Sequence, residues 1–372
     1  MKPKIWLSSP HMSGNELTYI QEAFNSNCLA SIGKNINGFE NDLESYLNKD
    51  KHIAALASGT SAIHLSLILL DIGYEDEVIC QTNTFSATAN PIVYQGAKPI
   101  FVDSEKDTWN ICPIQLKIAI KDRIAKGKKP KAIIAVHLYG MPYKVDEINK
   151  IALKYNIPIV EDSAESLGSL YKDAHCGTFG DLSILSFNGN KIITTSGGGA
   201  LITKTIKQKE KAIFLATQAR DNAPYYLHSE IGYNYRMSNI AAGVGRGQMT
   251  VLNNHVSKRR ANYALYVDAF KMNEKITFLK EPEGYFSNRW LTCILLDSEK
   301  TKENVRLALE KENIEARPLW KPMHQQPIFK NSPSYLNGVS DELFERGLCL
   351  PSGSNLKDDE LKRIISTINN CF

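Results

Sequence analysis

Lys191 lies in the run Leu185-Ser-Phe-Asn-Gly-Asn-Lys191-Ile-Ile-Thr-Thr-Ser-Gly-Gly-Gly199. A strand-like stretch ends at Phe187 and gives way to a tight polar turn with two Asn around a Gly, two Thr, a Ser and three consecutive Gly. A primary amine on such a turn can attack a carbonyl. The neighbouring hydroxyls and backbone amides can grip a phosphate. A lone lysine is ordinarily a solvated surface group, so the reading depends on what other segments supply. Ser58-Gly-Thr-Ser61 follows an apolar run and precedes a helical one; Gly59 and Thr60 there form either an anion site or, with Ser58, a plain helix cap. Val160-Glu-Asp-Ser-Ala-Glu165 follows another apolar run. Carboxylates at a strand end are costly to bury unpartnered, so Asp162 either pairs with a cation or caps the next helix. Phe85, in Thr82-Asn-Thr-Phe85, either stacks on a flat ring or fills the core.

These groups need a scaffold that gathers them. From about residue 52, short apolar runs (52–56, 77–80, 98–102, 132–136, 158–160, 183–187 and 199–203) alternate with helix-like segments. That alternation predicts a mainly parallel sheet covered by helices on both faces. Ligands in such sheets sit beyond the carboxyl ends of the strands, where all four segments fall. A long helix is predicted over 237–271, with Gly243, Gly245 and Gly247 allowing close helix packing, a subunit interface being one place for it. Strand 290–295, helix 302–312, a Pro- and aromatic-rich loop 317–335 and a final helix from Lys357 predict a smaller α+β domain. The division expected is 1–245, a large domain including the N-terminal segment, and 246–372, a small domain entered by a long linking helix.

Composition removes other classes. The 372 residues carry 43% hydrophobic and 23% charged side chains, as in ordinary globular proteins of more than one domain. A net charge of +4 is too small for a nucleic-acid binder. The basic run 121–131 reads as a solvated connection. Seven Cys without Cys-x-x-Cys spacing and eight scattered His predict free thiols and no metal site. No signal-like apolar core and no membrane-spanning run occurs, which predicts a cytoplasmic protein.

The order of these features (phosphate loop, aromatic, strand-end Asp, then Ser186 and Lys191) resembles that of fold type I pyridoxal-phosphate enzymes. More closely, the chain resembles the DegT/DnrJ/EryC1/StrS family of nucleotide-sugar aminotransferases. The resemblance runs nearly end to end, through Ser9-Pro-His-Met-Ser-Gly-Asn-Glu16, Gly38-Phe-Glu40, Ser58-Gly-Thr60, Glu161-Asp-Ser-Ala164, Ser186-Phe-Asn-Gly-Asn-Lys191, Gly232-Tyr-Asn-Tyr-Arg-Met-Ser-Asn239 and Leu350-Pro-Ser352. Within the family it is most similar to the 4-aminotransferases that make UDP-2-acetamido-4-amino-2,4,6-trideoxyglucose, the bacillosamine precursor. The pointers are Pro10-His-Met12, Ser287-Asn-Arg-Trp-Leu291, Arg317-Pro-Leu-Trp-Lys-Pro-Met-His324 and Tyr335-Leu-Asn-Gly338.

The resemblance implies that Lys191 joins pyridoxal 5'-phosphate as a Schiff base and shuttles the proton. It makes Asp162 the pyridinium partner, Phe85 the stacking ring, and Gly59, Thr60 and Ser186 phosphate ligands. Asn234 would reach the phosphate from a partner subunit, making the active unit a homodimer. Glu165 falls where relatives have Gln or His against the phenolic oxygen, and an acid there must be protonated or act indirectly. His11, Asn288, Arg317 and His324 become candidate sugar or nucleotide contacts. The implied reaction moves the amino group of L-glutamate to C4 of a UDP-linked 4-keto-6-deoxy-N-acetylhexosamine. The alternatives are GDP-perosamine synthesis, amination at C3, or a non-catalytic nucleotide-sugar binding protein. The 3-dehydratase branch has His in place of the lysine, and Lys191 argues against it.

Overall fold

The computed structural model describes residues 2–48 and 50–372. Seven strands build the central sheet: β1 (His52–Leu56), β2 (Glu77–Gln81), β3 (Lys98–Val102), β4 (Ala132–Val136), β5 (Ile159–Asp162), β6 (Leu182–Ser186) and β7 (Gly199–Thr203). Their spatial order is β1-β7-β6-β5-β4-β2-β3, and Ser334–Tyr335 adds an eighth strand beside β3. Only β7 runs antiparallel to its neighbours. The strands are short runs buried on both faces, and alternation divides their side chains. Val78, Cys80 and Ile134 enter one core with Ile63, Leu65 and Phe101, whereas Ile79, Ile133 and Ala135 enter another with Leu116, Ile120 and Ile148. That period of two is the pleat itself.

The chain steps outward from β2 to β3, then crosses back to β4 and β5. The reversal leaves a crevice between the carboxyl ends of β2 and β4, where such sheets bind ligands. The 58–61, 82–85, 137–139, 162–165 and 187–191 segments all converge on that edge.

The long helix predicted over 237–271 is two helices, Asn239–Met249 and Leu252–Phe270. Thr250 turns its hydroxyl back onto the Gly247 carbonyl at 2.6 Å, and Val251 leaves helical geometry. The three glycines pack within the chain. A Cβ at Gly245 would strike Phe39, and one at Gly247 would strike Glu16, so they let the helices 16–25 and 34–47 approach closely. The smaller sheet pairs Ile276–Phe278, Thr292–Leu296, Gly347–Leu350 and Arg317–Pro318 antiparallel. Helices Glu299–Lys311 and Asp358–Asn369 cover it, and its core takes in Ile5 from the N-terminal segment. Thus the N-terminal segment crosses to the small sheet, and 334–335 crosses to the large one.

No helix among the described residues is long and apolar enough to cross a membrane. No group of His, Cys, Asp and Glu among them could hold a metal ion.

Candidate active site

A cleft of about 630 Å³ opens at the carboxyl edge of the sheet, within the range of cofactor and substrate sites. Its lining includes Gly59, Thr60, Phe85, Asp162, Glu165, Ser186, Lys191 and Arg317, drawn from widely separated segments of the chain.

Lys191 is carried on a loop closed on itself. Phe187 donates to the Gly198 carbonyl at 2.8 Å, and Thr195 and Lys191 donate to the carbonyls of Phe187 and Asn188 at 2.9 and 3.0 Å. Its ammonium lies 4.1 Å from the centre of the Trp290 ring and 3.6 Å from Glu165 Oε1. Trp290, Tyr139, Trp320 and Phe85 form one continuous aromatic wall, each ring 5.0–6.3 Å from a neighbour.

Asp162 ends β5 and is buried. A relay holds one carboxylate oxygen: Thr88 donates to Oδ2 at 2.7 Å and is itself paired with Thr84. The Ala164 amide donates to Oδ1 at 3.2 Å, a local turn bond; no helix follows Asp162 directly, so the expected alternative of a helix cap is not what the residue does. Burial pushes the Asp162 carboxyl above its ordinary value, against the pull of Thr88, Ala164 and Lys191. A buried carboxylate pushed up in this way gains most from a cation in the cleft. Adjacent Glu161 behaves differently. Burial pushes it up too, but the hydrogen bond from His137 at 2.6 Å and amides of Gly177 and Gly180 outweigh burial and leave it below its ordinary value. Glu161 is therefore a satisfied structural carboxylate.

Glu165 Oε2 accepts the Tyr139 amide at 2.7 Å. Tyr139 offers that amide from the left-handed region, φ 52°, an uncommon conformation for a bulky side chain. Burial pushes Glu165 up to about 7, although Lys191 and the Tyr139 amide pull it down. The acid at this position is thus poised between its two forms at neutral pH.

The anion corner is built on the helix Gly59–Leu69. Ser58 caps it, its hydroxyl accepting the Ser61 amide at 3.0 Å. The first-turn amides of Gly59 and Thr60 have no helical acceptor. A Cβ on Gly59 would lie 3.1 Å from Ser186 Cβ, a tight contact that leaves little room for a side chain between the loop and β6. Gly199 has the reciprocal role: a Cβ there would collide with the Ser58 carbonyl carbon and the Gly59 nitrogen.

The other candidates divide. Phe85 is 54% exposed and faces the cleft, so it is not a core residue. Arg317 stands at the mouth, paired with Glu315 at 2.7 Å. Asn234 lies on the surface beside Thr217, outside the cleft of its own chain. Asn288 is fully buried and spends its amide on the Glu165 and Leu167 carbonyls at 2.8 and 2.9 Å and its oxygen on the Trp290 amide. It shapes the loop behind Glu165 and has no atom left for a sugar. His324 is engaged at both ring nitrogens, by Thr82 at 2.8 Å and Asp341 at 3.0 Å. His11 stacks on His255 and pairs with Ser354. Neither histidine lines the cleft. Sequence reasoning passed over Thr88, Tyr139, Trp290 and Trp320 as site residues. An aromatic inside each of the 287–291 and 317–324 runs was the available signal.

The lining suits a flat phosphorylated pyridine: one cleft brings together an amine, a buried carboxylate, first-turn amides with hydroxyls, and an exposed aromatic ring. Fold and site together define a pyridoxal-phosphate-dependent aminotransferase. The chain belongs to the DegT/DnrJ/EryC1/StrS aminotransferase family, whose profile matches residues 10–369. It is 50% identical to Bacillus subtilis EpsN, provisionally named a pyridoxal phosphate-dependent aminotransferase, over 100% of this chain and 97% of that one. It is 35% identical to an Escherichia coli O157:H7 GDP-perosamine synthase, over 98% and 97%. It is 32% identical to a Campylobacter jejuni UDP-4-amino-4,6-dideoxy-N-acetyl-beta-L-altrosamine transaminase, over 88% and 87%. Among solved structures, the PLP form of the Streptococcus pneumoniae sugar aminotransferase Spr1654 superposes with a TM-score of 0.90 at 25% identity, covering 99% and 98%.

Proposed function

We propose that this protein moves an amino group from L-glutamate to C4 of a UDP-linked 4-keto-6-deoxy-N-acetylhexosamine, in the cytoplasm, supplying a UDP-4-amino sugar for surface glycan or glycoprotein synthesis. The observation that carries the transfer chemistry is Lys191 on the cleft floor, with Asp162 and Glu165 buried in the same cavity. Bound pyridoxal phosphate supplies an electron sink for negative charge developing at the substrate carbon. Asp162, held by Thr88 and Ala164, would keep the ring nitrogen protonated. Gly59, Thr60 and Ser186 would hold the phosphate, and Phe85 would cover the ring. The Lys191 amine would take the proton from the donor carbon and return one to the acceptor. Trp290 and Glu165 bound the space around that amine. Protonated, Glu165 would offer the cofactor a hydrogen-bond donor; ionised, it would hold the lysine ammonium.

Asn234 of the partner subunit completes the phosphate site of a homodimer. Its exposure supports this, as does the exposure of large apolar side chains in the same stretch of chain, Tyr225, Tyr226 and Ile231 at 63%, 78% and 83%. At the mouth, Arg317 offers a planar fork for a diphosphate. The UDP-4-keto sugar is supported by the 10–12, 287–291, 317–324 and 335–338 runs and by the Campylobacter relative. A GDP-linked 4-keto sugar is the second reading, supported by the perosamine synthase at 35% identity. Purified enzyme incubated with L-glutamate and a panel of UDP- and GDP-keto sugars decides between them. NMR places the new amine on C4 of the UDP sugar under the first reading; amination of the GDP sugar alone, or at C3, overturns it.

A further inference from the structure

The helix Leu252–Phe270 crosses behind the cleft. His255, Arg259, Asn262 and Tyr266 are buried on it, and their spacing places them on one stripe. Each donates to a main-chain carbonyl. His255 Nδ1 reaches Ile192 at 3.2 Å, Arg259 Nη1 reaches Trp290 at 2.6 Å, Asn262 reaches Gly353 at 3.0 Å and Tyr266 reaches Pro351 at 2.9 Å. The helix therefore grips the main chain on both sides of the cleft, including the residue after Lys191.

Arg259 stands apart from the other buried guanidiniums. Arg123 pairs with Glu77, Arg236 with Glu40 and Arg289 with Glu281. Arg259 is 1% exposed, forms no ion pair among the described residues, and leaves its Nε without a partner. Burial pulls it down to about 10, so it remains charged at neutral pH. A buried cation without a counter-ion is costly, and its two engaged nitrogens lead toward the site. Nη2 donates to Ser8 Oγ at 3.0 Å. Ser8 Oγ donates to the Asn190 carbonyl at 2.7 Å. Trp290 Nε1 donates to that same carbonyl at 2.7 Å, and the Trp290 carbonyl accepts Arg259 Nη1. The four residues close a ring joining segments near positions 8, 190, 259 and 290.

We infer that Arg259 is a positioning residue for Lys191: its guanidinium closes a ring through Ser8, Asn190 and Trp290 that fixes the 190–191 peptide and the indole face against which the lysine amine lies, and its unpaired charge stands behind that wall. This rests on Lys191 being the cofactor-bound lysine. Proton transfer requires the amine within hydrogen-bond reach of the reacting carbon's proton, and a displacement of about 1 Å costs on the order of 100-fold.

The test uses cofactor-loaded wild type, Arg259→Met, Arg259→Lys and Ser8→Ala. Borohydride reduction and peptide mass spectrometry first locate the modified lysine in wild type; a site other than Lys191 defeats the underlying reading by itself. With Lys191 confirmed, Arg259→Met is expected to lower kcat about 10- to 100-fold with KM changed less than about threefold. Arg259→Lys, which cannot make both donations of the guanidinium fork, restores only part of kcat. Ser8→Ala, which opens the ring without changing the loop that carries Lys191, lowers kcat about three- to tenfold, and decides the matter if Arg259→Met does not fold. Folded Arg259→Met with wild-type kcat, or with kcat lost only in proportion to a raised KM, or Ser8→Ala with wild-type kcat, overturns the inference.

Discussion

Glu165→Gln isolates the cost of a buried acid in this cleft. In the cofactor-free protein, burial holds Glu165 at about 7 against an ordinary value of 4.5. The folded value is raised, so the contribution of Glu165 to stability is complete below 4.5, where the group is protonated in both states. It is lost as pH rises through about 7, because the folded state must then ionise the acid in a buried site or keep a proton the unfolded chain has released. The gap between 4.5 and about 7, at about 1.4 kcal/mol per pH unit, amounts to about 3 kcal/mol. Gln is isosteric and neutral, and its side-chain oxygen still accepts the Tyr139 amide. Urea denaturation of cofactor-free wild type and Glu165→Gln is the assay, at steps from pH 4.5 to 8.5. The two proteins are expected to match within about 0.5 kcal/mol at the acid end. Above pH 7.5 the variant is expected to be more stable by about 2–3 kcal/mol. A difference that stays flat across the window, or wild type gaining on the variant as pH rises, refutes the reasoning. It would show that water or Lys191 neutralises the carboxylate without cost.

Lys191→Ala is expected to lower turnover at least about a thousandfold and to abolish the borohydride-reducible link to the cofactor; residual turnover within tenfold of wild type sinks the assignment. Asp162→Asn removes the charge opposite the ring nitrogen and part of the Thr88 relay. A charged hydrogen bond of about 2–3 kcal/mol predicts a loss on the order of 100-fold in kcat/KM, read by steady-state kinetics with saturating cofactor. Gly199→Ala forces a methyl group into the Ser58–Gly59 backbone, expected to cost about 1–3 kcal/mol and to weaken cofactor binding at least about tenfold by absorbance titration; unchanged cofactor affinity would contradict the close approach of β7 to the anion corner.

Much of the scaffold was legible because its signals are local. Apolar runs of strand length, separated by helix-length segments, are enough to predict a parallel sheet and its functional edge. The turn chemistry of 58–61 and 187–199 places Gly where segments approach closely, and the backbone collision expected of any Cβ at Gly199 bears that out. The helix predicted as one span over 237–271 failed at Thr250, where a side chain competes for a backbone carbonyl, a bond that helical periodicity does not register. Gly243, Gly245 and Gly247 announced close packing, for which a subunit interface was one expected place; they pack instead on the chain's own N-terminal helices.

The sequence by itself determined the kind of chemistry: an amine on a phosphate-gripping turn, a strand-end carboxylate upstream of it, and the order of segments shared with a family of aminotransferases. Each of those signals lies within a few residues of chain. The tertiary structure alone decided which side chains still have atoms to offer. Asn288, His324 and His11 look as available as Arg317 in the sequence, yet packing commits them to partners 121, 242 and 343 residues away and leaves Arg317 at the mouth. It also decided the balance at Glu165, where burial and Lys191 oppose each other, and joined Ser8, Asn190, Arg259 and Trp290 behind the lysine. Hydrogen-bond satisfaction and desolvation depend on what surrounds a group in space, and that is settled only when distant segments pack.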